Sequence, residues 1–154
     1  MTNSLETESD SLATIYSQKI RTIRTRSYSL DIPERENEAQ ILHTLLGIEL
    51  KIGRRRFACP DLPTARYMRV FARLGCREFA VPYDITKIST LADELETSWQ
   101  RGLLLLETST EGLSDRQIKR RRSDYLKAVR MEIAAIGPGE KMPLFNQSTK
   151  QRST

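Results

Sequence analysis

Arginine is the residue type whose arrangement in this chain points most directly to chemistry. Arg66, Arg69 and Arg73 recur at spacings of three and four. On a helix they would form one row, with neighbouring side chains about 5 to 6 Å apart. Guanidinium groups so placed repel one another unless an anion answers them. Arg54, Arg55 and Arg56 add cations just upstream, and from Lys51 to Arg77 eight basic residues face a single acid, Asp61. A nucleic-acid backbone is one suitable anion, because arginine offers planar paired donors and each phosphate contact releases counterions. The other candidate lies inside the chain. From Glu78 to Glu111 the balance turns acidic, and Asp93, Glu94 and Glu96 could neutralise the row within the fold.

A second basic run, Lys119-Arg120-Arg121-Arg122, has the composition of a nucleic-acid patch. Four consecutive helical residues nevertheless point around the whole cylinder and cannot share one stripe. With Arg116, Lys127 and Arg130 they give this segment a broad basic side, as in groove-binding helices, membrane-surface helices and calmodulin-type targets. The candidate nucleic-acid contacts are therefore Arg54, Arg55, Arg56, Arg66, Arg69, Arg73, Lys119, Arg120 and Arg122. No helix-turn-helix pair and no glycine-flanked aromatic pattern of an RNA-recognition motif accompanies them. Phe57 and Phe79 read as core residues.

Other chemistry finds fewer footholds. The single histidine, His43, has no second histidine to complete a general-base scheme and no acid three or four residues downstream, so it reads as structural. Cys59 and Cys76 belong to no close Cys or His pair of metal-ligand spacing. Gly47 and Gly53 match neither nucleotide-binding spacing, and no Gly-Lys-Ser/Thr sequence occurs, so no cofactor is expected. A small enzyme could use Asp84, which follows an expected strand, or Glu78, but Asp84 also suits a helix cap. No set of acid, base and anion-stabilising groups converges, and a non-enzymatic protein is expected.

The elements that must carry these residues follow from periodicity and punctuation. Leu12, Ile15, Tyr16, Ile20 and Ile23 approach helical spacing and predict a marginal basic helix between Ser11 and Ser27 that orders on a partner. Asp31-Ile32-Pro33-Glu34 resembles a helix start. Ile41, Leu42, Leu45, Leu46, Ile48 and Ile52 then recur at threes and fours, predicting a helix that Gly47 weakens and Gly53 ends. Arg54 to Cys59 and Arg77 to Val81 read as short strands closed by Pro60 and Pro82. Between them lies a helix capped by Asp61 and stopped by Gly75. A right-handed parallel crossover is the default for such a unit, and it would hold Cys59 and Cys76 too far apart for a disulfide. A long amphipathic helix from Thr86 to Glu107 and a last one, capped by Ser114 and ending at Gly137-Pro138, complete the series.

These elements predict a helix-rich α/β or α+β domain over residues 33–137 with a small sheet containing a strand-helix-strand unit. Residues 1–32 and 138–154 flank it as flexible tails, the second holding an apolar cluster, Pro143-Leu144-Phe145, with the makings of a docking motif. A strand pair alone is marginal in water, so helices or a second subunit must cover it, and a homodimer is one expectation. With 154 residues, 38% hydrophobic and 29% charged, the chain has room for one core. Its longest apolar run, Leu103 to Leu106, is far short of a membrane span, and Met1 to Glu6 lacks the pattern of a secretory signal, so a cytoplasmic location is expected. The net charge of +5 favours polyanionic partners. The leading expectation is a non-enzymatic protein that binds nucleic acid through its arginines. The alternative is a protein-protein adaptor or assembly factor.

Overall fold

The computed structural model describes residues 11–139. Residues 1–10 of the expected N-terminal tail and the Pro143-Leu144-Phe145 cluster lie outside the described residues. The architecture is mixed α/β and helix-rich, with two small antiparallel sheets. Helix α1 (Leu12–Ile15) runs on as a π-helical stretch (Tyr16–Ile20). Strands β1 (Thr25–Ser29), β2 (Ala39–Thr44), β3 (Gly47–Ile52) and β4 (Arg55–Cys59) follow, then α2 (Leu62–Leu74) and β5 (Glu78–Pro82). A 3-10 turn (Ile85–Lys87) leads into α3 (Ile88–Ser109), and α4 (Asp115–Ile136) ends the series.

The helix expected between Pro33 and Gly53 is a β-hairpin instead. Thr44 pairs with Gly47 in the β2–β3 register, which leaves Leu45 and Leu46 as a two-residue turn. The Thr44 hydroxyl accepts from the Leu46 N–H at 3.1 Å and donates to the Gly47 carbonyl at 2.9 Å. Gly47 has φ +125°, so it is a turn residue and not a weak point in a helix. Ile48, Leu50 and Ile52 alternate with Glu49 and Lys51, and this period of two, not the threes and fours, turns Leu50 and Ile52 into the core. Asp31-Ile32-Pro33-Glu34 starts no helix; Asp31 pairs with Arg55.

The parallel crossover is also corrected. Strand β4 pairs antiparallel with β3, whereas β5 pairs antiparallel with β1, so the β4-α2-β5 unit connects two sheets. The helix expected over Ser11 to Ser27 stops at Ile20, and the chain continues as β1. Leu12, Ile15, Tyr16, Ile20, Leu30 and Ile32 are all buried, so this segment is part of the core rather than a loose arm. Cys59 and Cys76 are free, buried thiols.

Helix α2 is the centre of the packing. Its Asp61 N-cap accepts from the Thr64 N–H, and Gly75, at φ +85°, closes it in a Schellman arrangement with Cys76 N–H on the Phe71 carbonyl. Eight of its 13 residues are buried. Phe71 stacks on Phe79 of β5 at 4.5 Å, and Tyr16 and Tyr67 pack against Phe71. The outward edge of β5 is closed by tyrosine hydroxyls. Tyr67 donates to the Ala80 carbonyl at 2.6 Å; Tyr16 accepts from the Ala80 N–H at 2.9 Å and donates to the Gly137 carbonyl at 2.5 Å. The outward N–H and carbonyl of Ala80, which would otherwise invite pairing, are thereby satisfied from within.

Candidate interaction surfaces

Because α2 is buried on most of its circumference, only one narrow side remains for its charged residues. Arg66, Arg69 and Arg73 occupy that side, and α3 lies across it. The Arg66 guanidinium donates to both Glu96 oxygens, with Nη2 at 2.7 Å, and also pairs with Asp93; Arg69 reaches Glu96 at 3.1 Å. The side chains of Arg66, Arg69 and Glu96 are only 23%, 25% and 22% exposed, so this is a seam between helices and not an open basic surface. Arg73 lies over the Trp99 ring, 5.9 Å from its centroid. Partial burial pushes the Glu96 carboxyl up, but the hydrogen bonds and charge of Arg66, then of Arg69, outweigh it and hold it below the ordinary glutamate value. Arg66 is correspondingly raised, chiefly by its hydrogen bonds to Glu96 and Asp93. Glu94, the third acid expected to answer the row, pairs instead with Lys19 of the first helical stretch at 2.5 Å.

The remaining sequence candidates divide. Arg55 pairs with Asp31 at 2.7 Å, and Arg56 with Glu49 at 3.2 Å, both in exposed settings where such pairs contribute little. Arg122 is held in a two-pronged contact by Glu36, with Nε at 2.9 Å and Nη2 at 2.5 Å, which ties α4 to the segment before β2. Arg54, Lys119 and Arg120 are exposed. They take part in none of the ion pairs among the described residues, and the same holds for Arg116, Arg121 and Lys127. Arg116, Arg120 and Lys127, spaced by four and seven, share one exposed side of α4. Arg130 donates to the Leu74 carbonyl at 2.8 Å and so closes the end of α2.

Groups with catalytic potential do not assemble. Asp84 accepts from the backbone and hydroxyl of Thr86, which holds its carboxyl low, and it caps the 3-10 turn. Glu78 receives only a long contact from Ser27. His43 is exposed on β2. Burial drives the Cys76 thiol up to about 12 and keeps it protonated at neutral pH. Among the described residues no three His, Cys, Asp or Glu side chains could hold a metal ion, and no helix is long and apolar enough to cross a membrane.

Sequence reasoning passed over two apolar surfaces. Leu45 and Leu46, at the hairpin tip, are 106% and 95% exposed. Helical spacing places them on the buried stripe of a helix, whereas the hairpin turn exposes both. The second surface is the far end of α3, where Leu104 and Leu105 stand exposed beside a groove of about 450 Å³ lined by Leu103, Leu106, Ile118 and Arg122 among others. The leucine run was visible in the sequence; its position beyond the core was not. Compared with known protein families, curated proteins and solved structures, the chain matches none of them.

Proposed function

We propose that this chain is a non-enzymatic protein-interaction module, an adaptor or assembly factor, that presents Leu45 and Leu46 at the tip of the β2–β3 hairpin to an apolar pocket on a partner protein. One observation carries the reading. In the arginine row best suited to phosphates, Arg66 and Arg69 are engaged by Glu96 and Asp93 and Arg73 lies over Trp99, while the two most exposed large apolar side chains among the described residues stand together on a tight turn. The turn's own hydrogen bonds fix their backbone before any partner arrives, so little ordering is required on binding. Burying each leucine in a pocket would contribute about 1.5 to 3 kcal/mol.

A photo-crosslinking amino acid in place of Leu46, introduced in the native host, tests this. A discrete protein adduct that a wild-type competitor suppresses and a Leu45→Ser/Leu46→Ser competitor does not is the expected result. Adducts scattered over many abundant proteins, and insensitive to the competitor, would count against the hairpin tip.

The unpaired cations of α4 favour a second reading, in which Arg116, Lys119, Arg120 and Lys127, with Arg54, contact a nucleic-acid backbone without reading bases. A salt titration separates the two. Micromolar binding to generic duplex or single strands that weakens steeply with salt, and is lost on charge reversal at Lys119 and Arg120, would move the assignment to nucleic acid. Binding absent at low ionic strength would leave the protein-interaction reading.

A further inference from the structure

One turn near the C-terminal end of α3 is apolar all the way round. Leu103, Leu104, Leu105 and Leu106 are consecutive, so at 100° per residue they cover every side of the helix. Such a turn leaves apolar surface in water unless something covers each side. The fold covers part of it. Leu106 and Leu103 turn towards the base of α4, and Gly102 lets the two helices approach so closely that a β-carbon there would collide with the Tyr125 hydroxyl. Leu104 and Leu105 are left 62% and 63% exposed. The groove beside them has Leu103, Leu104, Leu106 and Ile118 in its lining, with Gln100, Glu107 and Arg122 at its margins.

The charges around this patch indicate what covers it. Arg101 lies three residues before Leu104 and Glu107 three residues after, on the same side of the helix as the exposed leucine. Neither takes part in the ion pairs among the described residues. Arg122 at the margin of the groove is already held by Glu36, so the charges left open beside the patch are one positive and one negative, flanking an apolar centre. A surface of this kind is complementary to itself, because a twofold axis over Leu104 sets Arg101 of each copy against Glu107 of the other and brings Leu104 onto the partner copy's leucines. An unrelated partner would need no such balance of sign. We propose that the C-terminal end of α3 is the contact through which two copies of this chain pair, with Leu104 at the axis and two reciprocal Arg101–Glu107 ion pairs at its rim. This surface lies on a different element from the hairpin tip, so either proposal can fail without the other.

Sedimentation velocity on the full chain over a range of concentrations, with charge-swapped variants, provides the test. The wild-type chain should dimerise. Arg101→Glu and Glu107→Arg should each weaken the dimer at least about tenfold, since each places like charges opposite one another twice. The double variant Arg101→Glu/Glu107→Arg should recover most of that loss, which a general effect on folding would not do. Leu104→Asp should give a monomer with an unchanged circular dichroism spectrum; if it unfolds, Leu104→Ser and the swap pair decide. A wild-type chain that stays monomeric to about 100 µM, a dimer indifferent to all these substitutions, or a double swap no better than either single variant would overturn the proposal.

Discussion

Glu96 is the residue on which the electrostatics of the core seam converge. It receives Arg66 and Arg69 together, and its carboxyl titrates below the ordinary value of 4.5. Below that value the unfolded chain takes up a proton that the folded chain still refuses, so protonation favours unfolding. The stabilisation is present in full above about pH 4.5 and is lost as pH falls through the folded pKa. Thermal melts of wild type and Glu96→Gln between pH 7 and 3 should therefore show a gap that narrows as pH falls; a gap of constant size would contradict the pairing. Tyr16 is the corresponding residue at alkaline pH. Burial, its largest influence, lifts its hydroxyl from 10 to about 12. The folded state thus holds this proton more tightly, and its contribution is present below pH 10 and lost as pH rises through about 12. Tyr16→Phe leaves the buried Ala80 N–H and the Gly137 carbonyl unpaired, for an expected cost of about 1 to 3 kcal/mol in urea denaturation. Cys76, raised by the same cause, should resist alkylation in the native state and react once the chain is unfolded.

At the scale of elements, punctuation proved readable and pairing did not. Asp61, Gly75 and Ser114 act as the caps their positions suggest, and Ser114 forms a reciprocal capping box with Gln117. These are local signals, because a cap and its acceptor lie within one turn. Gly75→Ala combines a left-handed backbone with a collision against the Arg35 main chain, and should cost more than about 2 kcal/mol where Asp61→Ala costs about 1. Denaturant melts of both variants check the ranking, and equal losses would contradict it. The β2–β3 hairpin departs from the predicted helix because Ile41, Leu42, Leu45, Leu46, Ile48 and Ile52 satisfy helical spacing, although the fold sets Leu45 and Leu46 in the turn. Only Ile48-Glu49-Leu50-Lys51-Ile52, followed by Gly53, distinguishes them. Strand β1 carried almost no signal: in Thr-Arg-Ser-Tyr-Ser the only apolar residue is Tyr28, and its partner β5 lies some fifty residues downstream. No local pattern encodes a pairing of that range, and burial of Leu12, Ile15 and Ile20 likewise depends on distant elements, chiefly α3, α4 and β5.

In the whole molecule, charge segregation in the sequence becomes charge compensation in the fold. The basic segment around α2 and the acidic start of α3 were both legible from residue types, as were the two possible anions. Which anion answers the row was decided by the laying of α3 across α2, a tertiary contact absent from either helix alone. Arg73 illustrates the limit: it takes part in none of the ion pairs among the described residues but sits against Trp99, a residue that reads only as part of an apolar stripe. With the row engaged internally, the surfaces left for partners among the described residues include the leucines at the hairpin tip, the leucines at the end of α3 and the cations of α4. The most direct test is a double-mutant cycle in urea with Arg66→Met, Glu96→Gln and both together. If the arginine row is held within the fold, Arg66 and Glu96 should couple by about 1 to 3 kcal/mol. Additivity of the two substitutions to within about 0.3 kcal/mol would mean that Arg66 is free for an external anion, and the seam between α2 and α3 would no longer explain these charges.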